Sequence, residues 1–329
     1  MSDPSNPVAP PPRREKLVVA GAAGSIGTAL CRTLALRYDV TAATLIPERA
    51  QQPVPGMAVD WRYFDLFSRT EMTAALSEAD HGRFLVHARQ RSARLDQARY
   101  EDMELIIADN FARAAALAGL RQILCLRGLR PSDSHGDHWR DEIEDALGAY
   151  GTPLTVIRAG LIVAPGSSMV RLIADQVTTD RLVPIPRWTL HRKQPVAVTD
   201  LVRAVDHCLG RPEQFTGSFD IGGPDSVDWG QMLRATARLY GRRPRFREYR
   251  WFPQSAYRWW LRRHSPRTHP GSVAVLVRDL QFEAVAQDNA LQRFIGEDAV
   301  DPREVLRPLL ENGGDSLRNP REAVLDIHE

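Results

Sequence analysis

The stretch KLVVAGAAGSIGTALCRTLALRYDVTAATL, from Lys16 to Leu45, decides the fold of this chain. It opens with the short apolar run KLVVA, which predicts a β-strand. The next residues, SIGTALCRTLALRY, place apolar side chains at helical spacing, and DVTAATL predicts a second strand. A strand, a helix and a strand in direct succession are typical of the start of a parallel α/β sheet.

Three glycines, Gly21, Gly24 and Gly27, follow the first strand with the spacing G-x-x-G-x-x-G. In such a loop the first glycine permits a tight turn, the second lets the backbone approach a pyrophosphate, and the third lets the helix pack closely on the strand. The helix N-terminus directs free N–H groups at the phosphates, and Ser25 offers a hydroxyl donor. The competing interpretation is a glycine-rich turn without a ligand. The strand before it and the helix after it favour the nucleotide site.

Strands and helices continue to alternate downstream. This spacing predicts an α/β fold, a doubly wound parallel sheet of Rossmann type with a smaller C-terminal substrate-binding subdomain. The further predicted strands are VDWRYFDL, FLVHA (84–88), QILCLRGL (122–129) and LTVIRAG (154–160), and the helices are SRTEMTAALSEA, RYEDMELIIADNFARAAALAGL and HWRDEIEDALGAYG.

Composition divides the chain into four predicted parts. Residues 1–15 are a proline-rich, disordered tail, and residues 16–160 form the nucleotide-binding core. Residues 161–310 complete the sheet and form the C-terminal substrate or lid subdomain, and residues 311–329 are a loose tail. In the third part, PVAVTDLVRAVDHCLG predicts a short strand and a helix that Thr199 or Asp200 caps.

Residues 242–264 mix arginines with aromatic side chains. Four interpretations stay open for this segment. It is a pair of short amphipathic helices with arginines extending outward, a lid over an apolar cleft, a peripheral membrane contact, or a platform for single-stranded nucleic acid.

The 329 residues are 43% hydrophobic and carry a formal net charge of +2. No basic stripe dominates, so nucleic acid is not the expected partner. The sequence has no apolar run long enough for a transmembrane helix. The three cysteines lie far apart in apolar contexts, which indicates reduced thiols and a cytoplasmic protein. Arg13 and Arg14 before an apolar run resemble an export signal, but the glycine loop and the amphipathic helix disfavour that interpretation.

The residue at the end of the second strand usually determines whether the site prefers NAD or NADP. An acidic residue there binds the ribose of NAD, and an arginine favours NADP. This chain has Thr44 at that point and Arg49 only further on, so the cofactor is NAD or NADP. Asp65, after the third strand, is placed either to accept from an adenine amino group or to cap the next helix.

The motifs GAAGSIGTAL, FLVHA, DNFARAAALAGLRQILCLRGL, TVIRAGLIVAPGS, QPVAVTDL and FDIGGPD resemble the atypical short-chain dehydrogenase/reductases. The similarity is to NmrA-like and epimerase-like NAD(P)-binding proteins, in a bacterial branch related to an accessory subunit of respiratory complex I. It extends from about Lys16 to about Leu310. The resemblance implies that cofactor contacts fall on Gly21, Gly24, Ser25, Ile26, Gly27, Asp65, Leu66, Val86, His87 and Ala88, and on the residues from Gly160 to Ser167.

Reductases of this kind usually combine a serine, a tyrosine and a lysine four residues after the tyrosine. Here Arg127 and Gly128 stand at the serine position, and neither lysine of the chain lies in a Y-x-x-x-K arrangement. The catalytic residues are therefore unknown, with His87, His138 and Arg127 as weak candidates. Arg127 and Arg158 close neighbouring strands, where they either bind an anionic group or pair with local carboxylates.

A local cluster of His135, Asp137 and His138 lacks supporting ligands, so we expect no metal site. Two hypotheses of function remain. The protein is an NAD(P)-dependent oxidoreductase acting on a small carbonyl or quinone-like substrate, or it is a dinucleotide-binding sensor, scaffold or assembly factor without turnover. The oligomeric state is not predicted.

Overall fold

The computed structural model of the chain describes residues 13–44, 50, 57–85, 100–130, 138–179 and 182–302. The strands are β1 (Lys16–Ala20), β2 (Asp39–Thr44), β3 (Val59–Tyr63), β4 (His81–Phe84), β5 (Gln122–Gly128), β6 (Leu154–Ala159), β7 (Ile162–Val163), β8 (Leu182–Pro186), β9 (Val196–Ala197), β10 (Gly217–Ile221) and β11 (Arg245–Tyr249). The helices are α1 (Ser25–Leu34), α2 (Arg69–Leu76), α3 (Tyr100–Ala118), α4 (His138–Gly148), α5 (Ser168–Thr179), α6 (Val198–Cys208), α7 (Pro212–Phe215), α8 (Trp229–Leu239), α9 (Gln254–His264), α10 (Pro270–Asp279) and α11 (Ala290–Ile295).

Seven of these strands form one parallel sheet in the order β3-β2-β1-β4-β5-β6-β10. The order reverses between β1 and β4, and Ala20 at the end of β1 pairs with Ala43 on one side and Phe84 on the other. In such sheets the crevice at the reversal, outside the carboxyl ends of the strands, is where ligands bind. The predicted doubly wound sheet is confirmed.

Helices cover both faces of the sheet. On one face α1, α6 and α11 pack their apolar side chains against the strands, with Leu30, Val205 and Leu291 in one buried cluster. On the other face α2, α3 and α4 form a second cluster that includes Phe111. The strands are apolar on both sides for this reason.

A third buried cluster lies apart from the large sheet. It joins α5, α8, α9 and α10 to the two-stranded parallel sheet of β8 and β11. At its centre Trp229 donates its indole N–H to the hydroxyl of Tyr257 at 2.8 Å, and that hydroxyl donates to Gln176 Oε1 at 3.1 Å. This cluster is the core of the C-terminal part of the chain.

Three details differ from the sequence predictions. β4 spans His81–Phe84 rather than 84–88, because main-chain pairing with β1 and β5 holds the polar HGRF in the sheet. Neither Thr199 nor Asp200 caps α6: Ala197 precedes the helix, and the Asp200 carboxylate accepts from the Val300 N–H instead.

The third difference concerns residues 242–264, which form a strand and one helix, β11 and α9, rather than two helices. In the described part of the chain, no helix has the length and apolarity needed to cross a membrane.

Candidate functional site

The glycine loop folds back onto the end of the second strand. Gly21 has a φ of 83°, a left-handed conformation that glycine adopts without steric cost. The N–H groups of Gly21 and Ala22 both donate to the carbonyl of Ala43, each at 3.2 Å. This turn brings the chain from β1 directly to the start of α1.

Gly27 sets how closely α1 approaches that turn. A Cβ atom at this position would lie 2.6 Å from the carbonyl oxygen and 2.7 Å from the Cα of Ala22. Such distances are well inside van der Waals contact, so only glycine lets the helix pack this close. The role predicted for the third glycine is thus visible as a backbone contact.

The N-terminus of α1 has the features of an anion site. Gly24 precedes the helix in an extended conformation and has no side chain to cap it, and the first turn contains no acidic residue. Because the first N–H groups of a helix have no partner within it and carry partial positive charge, they favour a phosphate. Gly24, Ser25 and Ile26 are partly exposed. These features are typical of a phosphate site at a helix N-terminus, and the contacts of Gly21, Gly24, Ser25, Ile26 and Gly27 with a dinucleotide stay predictions.

The ends of β2 and β3 lie on the same edge of the sheet. Thr44, the last residue of β2, is buried. Asp65 follows β3, and its Oδ1 accepts from the Phe67 N–H at 3.0 Å. Ser68, not Asp65, caps α2, since its hydroxyl accepts from the Glu71 N–H at 3.3 Å.

Asp65 thus shapes the turn before α2, while it remains partly exposed at the edge where an adenine would lie. Leu66 is fully buried in the core, so its backbone and not its side chain is placed for a base. Both residues remain predicted cofactor contacts.

The structure describes only some of the other predicted site residues. Val86, His87 and Ala88 lie outside the described residues, as do Arg49, His135 and the side chain of His138. Of the segment after β6, Ser167 receives the Val170 N–H on its hydroxyl at 3.3 Å, just before α5.

The two arginines at the ends of β5 and β6 pair with carboxylates. Arg127 Nη1 lies 2.5 Å from Glu104 Oε1, and both side chains are buried. Arg158 faces Glu144 with two nitrogens, at 3.2 and 2.5 Å. Of the two interpretations given above, the geometry matches pairing with local carboxylates.

The two lysines are also engaged elsewhere. Lys16 Nζ lies 2.5 Å from Glu78 Oε2. Lys193 is buried and donates to the carbonyls of Asp279 and Phe282. Burial lowers the pKa of Lys193 to about 8, although Asp279 and Glu283 act in the opposite direction. Neither lysine is paired with a tyrosine in the way the usual reductase chemistry requires.

Comparison with known proteins places this arrangement among nucleotide-binding folds. No family model matches the sequence. The triphenylmethane reductase of Citrobacter sp., solved with NADP(H), superposes with a TM-score of 0.69 at 15% identity, over 90% of this chain and all of the reductase. The UDP-glucose 4-epimerase of Thermus thermophilus, solved with NAD, gives a TM-score of 0.58 at 16% identity, over 81% of this chain and 99% of the epimerase.

The chain has the fold of the NAD(P)-binding epimerases and reductases. The predicted resemblance is confirmed at the level of the fold. At identities of 15–16%, structural similarity establishes the architecture alone. Among curated proteins, the auxiliary protein GraX of Staphylococcus aureus is 28% identical over 181 residues. That match covers 54% of this chain and 55% of GraX, so the chain spans about half of the relative's length.

The sequence analysis missed a cavity between α5 and α8. Its volume is about 270 Å³. Val163, Met169, Ile173 and Met232 supply apolar surface, and Arg238 is one of its few charged side chains. Val163 also belongs to the segment after β6 that was predicted to flank the nicotinamide. No local sequence signal marks this cavity, since helices separated by some 60 residues along the chain enclose it.

In the described part of the chain, no group of three or more histidine, cysteine or carboxylate side chains is arranged to hold a metal ion. The predicted cluster around His135 lies outside these residues.

Proposed function

We propose that this protein binds NAD or NADP at the glycine loop and is an oxidoreductase for a small, partly apolar carbonyl or quinone-like compound. The observation that carries the proposal is the open N-terminus of α1 beside a glycine turn, at the point where the strand order reverses. The reductase and the epimerase that share the fold were solved with NADP(H) and NAD.

The chain's own residues supply binding and orientation in this proposal. Backbone N–H groups at Gly24 and Ser25 would hold the diphosphate, and the carboxyl edge beyond Thr44 and Asp65 would hold the adenosine half. The bound cofactor would supply hydride transfer. Because β2 ends in Thr44 without an acidic or basic side chain, either NAD or NADP fits the described residues.

The cavity between α5 and α8 supports the choice of substrate class. Its volume of about 270 Å³ suits a small molecule, and its lining is mainly apolar. It adjoins the segment after β6 through Val163. A flat, weakly polar carbonyl or quinone matches such a lining better than a highly charged sugar nucleotide.

A second candidate function is dinucleotide binding without turnover. Two observations favour it: Arg127 is in a buried ion pair at the position of the usual serine, and Lys193 is committed to two carbonyls. Among the relatives, GraX bears the name of an auxiliary protein. A sensor, scaffold or assembly factor would need the nucleotide site but no proton donor.

The Gly24→Asp variant tests nucleotide binding, which both candidates share. A carboxylate at the start of α1 would repel the diphosphate, so we expect the affinity for NADH and NADPH, measured by calorimetry, to fall at least 100-fold. Gly148→Asp is the matched control, because a Cβ at Gly148 meets only Leu154 at 3.7 Å. If Gly24→Asp binds both nucleotides as tightly as the wild type, the loop is not the site.

Steady-state assays separate the two candidates. The wild-type protein is mixed with NADPH or NADH and a panel of quinones and aldehydes, and nucleotide oxidation is followed by absorbance. Oxidation that disappears in Gly24→Asp supports the oxidoreductase. Tight nucleotide binding without oxidation of any panel member supports the binding protein and overturns the oxidoreductase.

A further inference from the structure

Residues 242–264 concentrate positive charge on one part of the surface. The segment contains eight arginines and one glutamate, a formal net charge of +7. Since the whole chain carries +2, the remaining residues together carry −5. We name the exposed side chains of this segment the arginine–tryptophan face. Its members are Arg242, Arg243, Arg245, Arg247, Arg250, Trp251, Arg258, Trp259, Arg262 and Arg263.

The arginines of this face are not neutralised by neighbouring acids. The one glutamate of the segment, Glu248, pairs with Arg234 on α8 at 3.1 Å. Among the residues that the structure describes, none of the eight arginines pairs with a carboxylate. Arg247 instead lies over the ring of Tyr249, 5.2 Å from its centroid. A dense group of uncompensated cations on a folded protein indicates an anionic partner.

Helix α9 presents this charge together with an exposed indole. Tyr257 and Leu261 lie four residues apart, are fully buried, and attach the helix to the third cluster. At about 100° per residue, Trp259 falls on the opposite side, between Arg262 and Arg263. The helix is therefore amphipathic in an unusual sense, since its outer face combines guanidinium groups with a large aromatic ring.

Two tryptophans project from the face. Trp251 is 88% exposed and Trp259 is 66% exposed. Beside Trp251 an open depression of about 470 Å³ has a floor that includes Trp188 and Phe252. Exposed indoles surrounded by arginines match the interface of a bilayer, where the ring enters the headgroup region and the guanidinium groups contact lipid phosphates.

We propose that the arginine–tryptophan face docks the protein reversibly on a membrane surface rich in anionic phospholipid. Charge complementarity is the main argument, because each arginine near such a surface raises partitioning about fivefold. A long nucleic acid fits less well, since the −5 of the remaining chain would repel a polyanion that extends beyond the face. A bilayer is contacted by this one face alone. The inference is independent of the proposed enzymatic function.

Vesicle co-sedimentation of the full chain tests the proposal. The wild type should bind vesicles of phosphatidylcholine mixed with phosphatidylglycerol, should not bind pure phosphatidylcholine, and should be released by high salt. The double variant Arg262→Gln, Arg263→Gln should bind about 25-fold more weakly, which is about fivefold for each arginine. Its matched control is Arg113→Gln, Arg130→Gln, which removes two exposed arginines from the nucleotide-binding half and should bind like the wild type.

A second pair of variants tests the aromatic contribution. Trp251→Ser combined with Trp259→Ser should weaken vesicle binding and abolish the blue shift of tryptophan fluorescence on adding anionic vesicles. Leu117→Ser, which removes an apolar side chain that is 75% exposed on α3, is the control. Circular dichroism should show all variants folded, because the altered side chains point outward.

Two results would overturn the proposal. One is that the wild type binds zwitterionic and anionic vesicles equally well, or binds neither kind. The other result has two parts: the wild type does not bind anionic vesicles but binds single-stranded DNA, and the same four substitutions weaken the binding of DNA. That result would assign the face to nucleic acid.

Discussion

Arg83 is a charge buried within the sheet. Its side chain on β4 is fully buried, and none of its three guanidinium nitrogens has a hydrogen-bond partner in the described part of the chain. Burial lowers the pKa of Arg83 to about 9, and the thiols of Cys31, Cys125 and Cys208 act in the opposite direction. Burial raises the pKa of each thiol to about 12, so they are uncharged at neutral pH.

Replacing Arg83 with methionine should stabilise the protein. Methionine keeps the length of the side chain and removes the desolvation cost of an unpartnered cation. We expect the free energy of unfolding, measured with urea, to rise by about 1–3 kcal/mol. Arg37→Met, which breaks an exposed pair with Asp206, is the control and should change it by less than about 1 kcal/mol. A destabilised Arg83→Met would mean that the guanidinium has a stabilising partner.

At the scale of single residues, the sequence predicts what depends on local backbone. Gly21 and Gly27 were assigned roles that the structure shows as a left-handed turn and a close helix approach. Arg83 could not be identified, because its burial depends on β1, β5 and helices that come from distant parts of the chain. Asp65 left two interpretations open, since a helix cap and an adenine contact both require a carboxylate after β3, and the structure assigns the cap to Ser68.

Lys193 lies just before β9 and binds two later parts of the chain, Val227 and the residues at the end of α10 and just after it. Its main chain pairs with Val227 through hydrogen bonds of 2.8 and 2.7 Å, and its ammonium group donates to two carbonyls near the end of α10. Gln194 continues the attachment by accepting the Ala286 N–H at 3.0 Å. One short stretch thus positions residues 279–286.

The Lys193→Met variant should lose about 2–4 kcal/mol of stability, because two partly buried carbonyls lose a charged donor. Thermal or urea unfolding measures the loss. Lys16→Met is the control, since its pair with Glu78 is largely exposed.

The difference in the free energy of unfolding between the wild type and Lys193→Met should also depend on pH. The folded pKa of Lys193 is about 8, against 10.5 in the unfolded chain. Between these values the unfolded chain binds the extra proton, so the wild type gains stability relative to Lys193→Met as pH rises from 8 to 10. A difference that shrinks over this range would contradict the lowered pKa.

At the scale of elements, the β-α alternation up to Ala159 was predictable because β1, β5 and β6 are apolar runs followed or preceded by amphipathic helices. The bounds of β4 were not predictable, because main-chain pairing and not an apolar run holds HGRF in the sheet. The short pairs β7–β9 and β8–β11 were not predicted. β7 and β9 have only two residues each, β11 is largely polar, and each strand pairs with a partner far along the chain. Residues 245–249 alternate arginines with aromatics, and only pairing with β8 makes this stretch a strand.

At the scale of the whole molecule, residues on both sides of position 160 contribute to the large sheet and to the cluster that covers one of its faces. The cluster beneath the large sheet includes α6, Ile221 of β10 and Leu291 of α11, all from later in the chain. Residues 161–310 were predicted to complete the sheet, and β10 lies in it. The sequence could not show that α6 and α11 cover one face of the sheet, because the pattern of an amphipathic helix does not identify the surface that it packs against.

A fragment of residues 13–160 should therefore fail to fold on its own. Without α6, β10 and α11, one apolar face of the sheet keeps only α1 as its cover. We expect the fragment to be insoluble or to show no cooperative thermal transition by circular dichroism, whereas residues 13–302 unfold cooperatively. A soluble, cooperatively unfolding fragment would show that the N-terminal half has a sufficient core of its own.

This arrangement also governs biosynthesis. Ribosomes deliver β1 to β6 long before α6 and α11 emerge, so one face of the nascent sheet has only α1 as its cover through much of translation. Because exposed apolar surface promotes aggregation, we expect the nascent chain to need chaperone protection during that interval, and we expect chains that terminate early to aggregate.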